Sequence, residues 1–332
     1  MSRLTVIGAG SWGTALAIAL APKFEKVTLL ARDASQAARC ESSRENAHYL
    51  PGFSLPSNIS VIADPAAALS SARIVLSAIP SRHLRKTYCD IAPYLTPAMS
   101  FVSATKGIEM GTLLRMSQVI ENVVSARFQP RVAALSGPTF AKEVAAGEPA
   151  AVVIASSDAD LASEIQNAFS SPSLRFYTSH DIIGVEIGAA LKNVIAIGAG
   201  ICQGLGLGGN SVAALVTRGL AELTRLAVAL GGKPKTLSGL AGLGDLVLTS
   251  TGDLSRNRYV GIQLGSGRGL NDILHEMTQV AEGVDTCKAA HELALRNGVH
   301  MPISEKMFEI LYEGKPAAVA IRELMERPLT SE

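Results

Sequence analysis

Along the first half of the chain, short runs of apolar, often β-branched residues alternate with stretches whose apolar positions recur every three or four residues. RLTVIG leads into SWGTALAIALA, KVTLLA into DASQAARCESS, and RIVLSAI into SRHLRKTYCDIA. MSFVSA precedes a helical pattern from about Thr112, RVAALSG precedes TFAKEVAA, and AAVVIAS precedes DADLASEIQNAF. A strand period giving way to a helical one, repeated in this way, predicts a doubly wound parallel α/β sheet with helices on both faces. Its crossovers should be right-handed. The alternation stops near LRFYTS. From Asp181, a residue suited to cap a helix, apolar residues keep helical spacing through DIIGVEIGAALKNVIAIGAG, SVAALVTRGLAELTRLAVAL and VDTCKAAHELALRNG. Two domains follow: α/β over 1–180 and all-helical over 181–332.

Composition supports this division. A chain of 332 residues is long for one core. With 48% apolar and 18% charged residues it reads as packed and globular. A net charge of +1 gives no field that would make nucleic acid or an anionic membrane the main partner, although local phosphate sites stay open. Cys40, Cys89, Cys202 and Cys287 form no C-x-x-C pair, and with the six histidines they show no metal-ligand spacing. They read as reduced thiols of a cytoplasmic protein, with no metal expected.

Two stretches resemble membrane segments. The start, MSRLTVIGAGSWGTALAIALAPK, has a basic residue and then an apolar run, as a leader does. Cleavage there would delete the glycine turn described next. Asn193 to Thr217 carries no charge and is long enough to cross a bilayer. Gln203, Asn210 and GLGLGG interrupt it, so a buried helix, a glycine-rich loop and a second buried helix fit better.

Gly8, Gly10 and Gly13 in VIGAGSWG form G-x-G-x-x-G between a strand and a helix, the context that gives this spacing meaning. Gly8 permits the tight turn, Gly10 lets the backbone approach a pyrophosphate, and Gly13 lets helix pack on strand. The helix N-terminus, with Ser11 and Trp12 on the turn, then faces the anion. This is a Rossmann-type dinucleotide site. At the end of the second strand, where an acid would bind the ribose 2′-hydroxyl of NAD, stand Ala31 and Arg32. An arginine suits a 2′-phosphate, so NADP(H) is expected to bind at least as well as NAD(H). The alternative is an ordinary surface arginine. Asp33 follows one position late and suits a helix cap.

Ligands of such sheets sit at the carboxyl ends of the strands. There the chain places Pro80 and Ser81 in IPSRH, Lys106 in SATKGIE, and Gly137, Pro138 and Thr139 in SGPTFAKE. Thr139 is expected to open a helix whose first N–H groups face an anionic substrate. For Lys106 the other reading is a solvated loop lysine.

Lys192 is the sharper signal. It interrupts the apolar run GAALKNVIAIGAG, on a helical stripe with Gly188 and Val185 and near Ala189. Burial disfavours its charge unless a carboxylate compensates, and a tunable proton is what carbonyl reduction needs. Asn193 can hold substrate or the lysine. The competing reading is a lysine snorkelling at a helix surface. Downstream, Asp245 follows a glycine-rich turn, one helical turn before Thr249, and is a candidate partner for Lys192. Ser255, Arg256 and Asn257 form a compact donor set for a phosphate, or else a solvated polar loop. Glu282 in VAEGVDT either touches the cofactor or solvates a helix start.

Together the segments GAGSWGTALA, ATKGIE, LSGPTFAKEVA, GAALKNVIAIGAGI, GLAGLGDLVLTSTG and SRNRYVG resemble the bacterial NAD(P)-dependent glycerol-3-phosphate dehydrogenases over nearly the whole chain. The resemblance implies reversible reduction of dihydroxyacetone phosphate to sn-glycerol 3-phosphate for phospholipid synthesis. It implies Lys192 as general acid/base, oriented by Asp245 with Thr249 nearby. Lys106, Gly137, Thr139, Ser255, Arg256 and Asn257 would hold substrate with them. Ser11, Trp12, Arg32, Tyr49, Lys106, Ala141, Arg256, Val280 and Glu282 would line the cofactor site beside the glycine turn. A homodimer is expected from the apolar surface of the helical domain. Two rivals remain at this stage: a reductase of another hydroxy acid, such as a 6-phosphogluconate or 3-hydroxyacyl substrate, and a dinucleotide-sensing protein without turnover.

Overall fold

The computed structural model describes residues 3–277 and 280–328. Its first half runs β1 (Arg3–Ile7), α1 (Ser11–Leu20), β2 (Lys26–Leu30), α2 (Ala34–Ser43), β3 (Ile59–Ile62), α3 (Pro65–Leu69), β4 (Ile74–Ser77) and α4 (Ser81–Ile91). It continues with β5 (Ser100–Ser103), α5 (Met116–Val124), β6 (Arg131–Ser136), α6 (Ala141–Ala145), β7 (Ala150–Ala155), α7 (Ala159–Phe169) and β8 (Leu174–Ser179). Among the described residues, helices alone follow: α8 (Ile182–Gly204), α9 (Gly209–Ala229), α10 (Pro234–Leu237), α11 (Asp245–Thr251) and α12 (Arg256–Gly265). The last are α13 (Leu270–Glu276), α14 (Glu282–Arg296), α15 (Pro302–Tyr312) and α16 (Ala317–Met325).

The eight strands form one sheet in the order β3-β2-β1-β4-β5-β6-β7-β8. The β1–β4 neighbourhood is the switch point of a doubly wound sheet, where the crevice for a ligand opens. Apolar side chains cover both faces: Leu4, Val6, Leu29 and Leu76 belong to one cluster, and Ile7, Val75, Tyr88 and Phe101 to the other. The parallel expectation fails at one pairing. β7 runs antiparallel to β6, with Ser136 opposite Val153, and β8 then runs parallel to β7. The cause is α6. Five residues of helix rise only about 8 Å, too little to return along a six-residue strand of roughly 20 Å. The chain therefore turns at the ligand end and comes straight back. Thr139, expected to begin this helix, lies before it, with Phe140 as the N-cap.

The inversion sets the course of α8. β8 runs down from beyond the ligand end, its last residue, Ser179, lies level with Ala155, Ala134 and Ser103, and Asp181 caps α8 just after it, accepting a hydrogen bond from Gly184 N at 2.8 Å. Val185 packs with Ala155 at the C-terminal end of β7. Lys192, ten residues beyond Ile182, lies roughly 15 Å further along the helix axis. Every residue from Gly184 to Cys202 is buried. This helix is long and apolar enough to cross a membrane, but 89% of its apolar window is buried inside the protein. It begins at Ile182, directly after the expected cap Asp181, whereas α9, expected to be buried, is only half-buried, with Val228 exposed.

Two devices hold α8. Its buried Glu186 accepts hydrogen bonds from Ser117 N at 2.7 Å and Ser117 Oγ at 2.6 Å and pairs with Arg115, which fixes the start of α5 to α8. That start lies four residues later than the sequence pattern suggested, because Gly111 and Leu113 take positive φ and Ile108 bridges Arg115. On its other side α8 crosses α12 through glycines. A Cβ on Gly200 would lie 2.1 Å from Arg258 O, one on Gly204 2.2 Å from Ile262 O, and one on Gly261 2.0 Å from Ile197 O. Only hydrogen fits at these contacts, so the glycines set the distance between the two helices.

Replacing Gly261 with alanine should therefore destabilise the protein by about 1–3 kcal/mol, as overpacked sites do. Gly209 at the start of α9 has no atom within 4 Å of its Cβ position, and alanine there should add about 0.4–1 kcal/mol. Urea midpoints of the two variants check both signs.

Candidate active site

One cavity of about 1220 Å³ runs across the strand ends and into the helical half. At its first end, Gly8 has φ +110°, and a Cβ there would meet Ala78 O at 2.6 Å. A Cβ on Gly13 would meet Gly8 O at 1.9 Å, so α1 rests directly on the turn. Gly10 differs: nothing lies within 4 Å of its Cβ position. The space above Gly10 is what a pyrophosphate would need, and α1 offers it N–H groups uncapped by any side chain. Trp12 Nε1, at the cavity wall, is a buried donor with no partner among the described residues. These features fit a dinucleotide.

The turn is braced from behind. Gln36 Nε2 and Asn46 Nδ2 both donate to Ala9 O, at 2.7 and 2.9 Å, and Ser11 Oγ donates to Tyr49 O at 2.5 Å. Gln36 and Asn46 escaped the sequence reading, since an amide in a helix or a loop carries no motif. Arg32 stands at the cavity rim with 83% of its side chain exposed, and Asp33 caps α2 through Gln36 N at 2.8 Å. Tyr49, Ala141, Val280 and Glu282 also line the cavity, whereas Gly13 lies behind it. Burial pushes the carboxyl of Glu282 above its ordinary value, with Arg256, Lys106 and Lys192 acting the other way.

Deep in the same cavity lies a three-element charge cluster. Asp245 is wholly inaccessible. Its Oδ1 accepts from Lys192 Nζ at 2.5 Å, and its Oδ2 accepts from Lys106 Nζ at 2.6 Å. Lys192 also donates to Thr249 Oγ1 at 2.6 Å. The sequence paired Lys192 with Asp245. It gave Lys106 no part in the pair, because that lysine comes from the end of β5, 139 residues away. Local structure explains how Asp245 arrives. The chain from Leu240 to Gly244 makes one π-helical turn that runs straight into α11. A Cβ on Gly188 would sit 2.8 Å from Ala241 O, so this turn presses against α8 one turn below Lys192.

Electrostatics follow from burial. Loss of water pushes the Lys192 ammonium down to about 8, against the pull of Asp245, and Lys106 adds to the fall. Burial also acts to raise the carboxyl of Asp245, but Lys106 and then Lys192 outweigh it and hold it below its ordinary value. Asp245 alone therefore does not keep Lys192 at its usual basicity, contrary to the simplest expectation. The amine is left close to neutral pH, where it can give or take a proton.

The donor run Ser255-Arg256-Asn257 forms the N-terminus of α12, and all three residues line the cavity with Lys106, Thr139 and Lys192. Ser255 Oγ caps the helix by accepting from Arg258 N at 3.2 Å. Arg256 Nη1 donates to Val280 O at 2.9 Å. Asn257 is more engaged than the sequence suggested: its Nδ2 donates to Asn193 Oδ1 and its Oδ1 accepts from Gly283 N, both at 2.9 Å. Asn193 is thus tied to Asn257 and not to Lys192. Gly137 and Asp245 lie behind the cavity wall. Gly137 is tight against β7, where a Cβ would meet Val152 Cα at 2.8 Å, and its carbonyl accepts from Lys106 Nζ at 3.4 Å and Thr139 Oγ1 at 3.2 Å.

A dinucleotide cradle opening onto a buried, tuned lysine and a helix N-terminus defines a nicotinamide-dependent oxidoreductase. The family models for NAD-dependent glycerol-3-phosphate dehydrogenase match this chain, the N-terminal one over residues 3–162 and the C-terminal one over residues 181–322. The chain is 57% identical over 334 residues to glycerol-3-phosphate dehydrogenase [NAD(P)+] of Koribacter versatilis, spanning 100% of this chain and 99% of that one. It is 52% identical over 334 residues to the enzyme of the same name from Acidobacterium capsulatum, spanning 99% of both. The crystal structure of glycerol-3-phosphate dehydrogenase from Coxiella burnetii superposes with a TM-score of 0.94 at 36% identity, covering 98% of this chain and 99% of that one. The chain belongs to the NAD-dependent glycerol-3-phosphate dehydrogenase family.

A buried amine pushed down to about 8 gives a directional prediction for a general acid. If Lys192 is the proton donor of carbonyl reduction, kcat/KM for that direction should fall as pH rises through about 8. Alcohol oxidation needs it neutral and should rise over the same interval. In Asp245→Asn the anion that raises Lys192 is gone, and both limbs should move to lower pH. Rate profiles in the two directions test this, and flat profiles around pH 8 would remove Lys192 from the chemistry.

Proposed function

We propose that this protein is an NAD(P)-dependent glycerol-3-phosphate dehydrogenase that reversibly reduces dihydroxyacetone phosphate to sn-glycerol 3-phosphate, with Lys192 as general acid/base. The observation that carries the reading is the buried Lys192–Asp245–Lys106 cluster opening onto the cavity that the glycine turn begins. The residues from about 181 on form the substrate domain in this reading. The glycine turn, Ser11, Trp12, Arg32, Tyr49, Ala141, Val280 and Glu282 hold the dinucleotide.

The bound nicotinamide supplies the hydride. The protein supplies the rest. The substrate phosphate sits at the N-terminus of α12, where the backbone N–H groups, the helix dipole and the Arg256 guanidinium all favour an anion. Thr139 and Lys106 border it from the sheet side. Protonated Lys192 delivers its proton to the ketone oxygen, with Asp245 and Thr249 fixing where Nζ points. When Lys192 becomes neutral, Asp245 still has Lys106, so the buried carboxylate is never left without a cation. In the reverse direction neutral Lys192 takes the hydroxyl proton. The product's use in phospholipid synthesis, a cytoplasmic location and a homodimer complete the reading.

Lys192→Met keeps length and removes the proton. Loss of general acid catalysis costs about 10²–10⁴-fold, and lost positioning adds to it, so kcat should drop by at least that range. NADPH affinity should stay near that of the unaltered protein. Stopped-flow oxidation of NADPH with dihydroxyacetone phosphate, alongside fluorescence titration of NADPH, checks both halves. A variant with near-normal turnover would end the assignment.

A further inference from the structure

The cavity has a further stretch of wall that the assigned cofactor residues leave out. Arg82, His83 and Lys86 in the first turns of α4 line the same cavity as Leu30, Ala31 and Arg32 at the end of β2. Their charges stand in exposed, weak pairs: Arg32 with Asp33 at 3.4 Å, Arg82 with Asp285 at 3.7 Å, and Lys86 with Asp90 at 2.6 Å. Pairs of this kind are worth little and a phosphate can displace them. His83 is the exception. Arg82 Nε donates to His83 Nε2 at 3.3 Å, a contact that favours the neutral ring. Burial, then Arg82 and Arg32, hold its pKa below 6.5, with Asp285 acting the other way. Arg32 and His83 line the same cavity, and the charge of Arg32 is felt at the imidazole. Charged groups face the imidazole from its own helix, from the end of β2 and from α14.

We infer that the start of α4 is the second half of a 2′-phosphate site: Arg82, His83 and Lys86 close on a phosphate that Arg32 also holds, and His83 takes up a proton as it binds. The inference rests on the reading of this cavity as a dinucleotide site and adds the residues that choose between NADP(H) and NAD(H). A dianion arriving between Arg32 and His83 reverses the electrostatic balance that keeps the ring neutral. Uptake of a proton on binding means affinity falls as pH rises, here between the pKa of His83 in the free protein and its higher value in the complex. Binding of a nucleotide without the 2′-phosphate has no such coupling.

The test uses the intact protein and two fragments that need no turnover, adenosine 2′,5′-bisphosphate and adenosine 5′-monophosphate, in titration calorimetry at several pH values. The unaltered protein should prefer the bisphosphate, and the preference should shrink from about pH 6 to about pH 8. In His83→Gln the preference should drop about tenfold at the acid end, with monophosphate affinity kept, as expected for one charge-assisted contact. Ionisation of the ligand's own phosphate is common to both proteins, so the difference between their pH slopes isolates His83. Lys86→Gln should weaken the bisphosphate at every pH without altering the slope. A His83→Gln protein with the preference and slope of its parent would overturn the proposal. Failure of the unaltered protein to bind either nucleotide would instead overturn the dinucleotide reading beneath it.

Discussion

Asp245 is a carboxylate with no access to water, and the rest of the site is arranged around it. Moving such a group out of water costs several kcal/mol, and one cation seldom offsets this fully. Here each oxygen has its own ammonium, Lys192 from α8 and Lys106 from the end of β5, while Asp245 itself comes from α11. Three distant stretches of chain must meet within hydrogen-bond length. The fold can be understood as the means of bringing them there. Glu186 anchors α8 to the sheet domain, Gly188 lets the π-helical turn lie against α8, and that turn delivers Asp245.

The two lysines do different things to one another through this shared anion. Lys106 binds the same carboxylate as Lys192, so it stabilises Asp245 and at the same time lowers the basicity of Lys192. A single pair would have left Lys192 more basic and slower to part with its proton at neutral pH. Around this core, the Asn193–Asn257–Gly283 chain of hydrogen bonds joins α8, α12 and the start of α14. The N-terminal end of α12 is thereby held in register with the residue next to Lys192.

Much of this could be read from the residues. The glycine spacing, the change of period after Asp181, and a lone lysine in an apolar run were enough to place the glycine turn, the change from strands to helices and the buried lysine. What the sequence hid depends on three-dimensional approach. The partnership of Lys106 with Asp245 joins residues far apart, and no spacing encodes it. The reversal of β7 follows from the shortness of α6, a helix whose end cannot be located from TFAKEVAA alone. β3 has only four residues, and ISVI does not stand out within its loop. Gly200, Gly204 and Gly261, which carry no motif in the sequence, mark the approach of one helix backbone to another.

The reversed strand pair has a geometric consequence. Because β8 runs against the parallel strands and hands the chain to α8 at Asp181, the opening ten residues of α8 act as a ruler that sets where the amine lies. Each residue of that ruler fixes both an elevation and a bearing for the amine, since one step of a helix moves a side chain about 1.5 Å along the axis and about 100° around it. Growth or loss of chain in this family member is accordingly tolerable in loops such as that between α8 and α9, but not in the interval between Asp181 and Lys192, where a single extra residue would turn the amine toward a different wall.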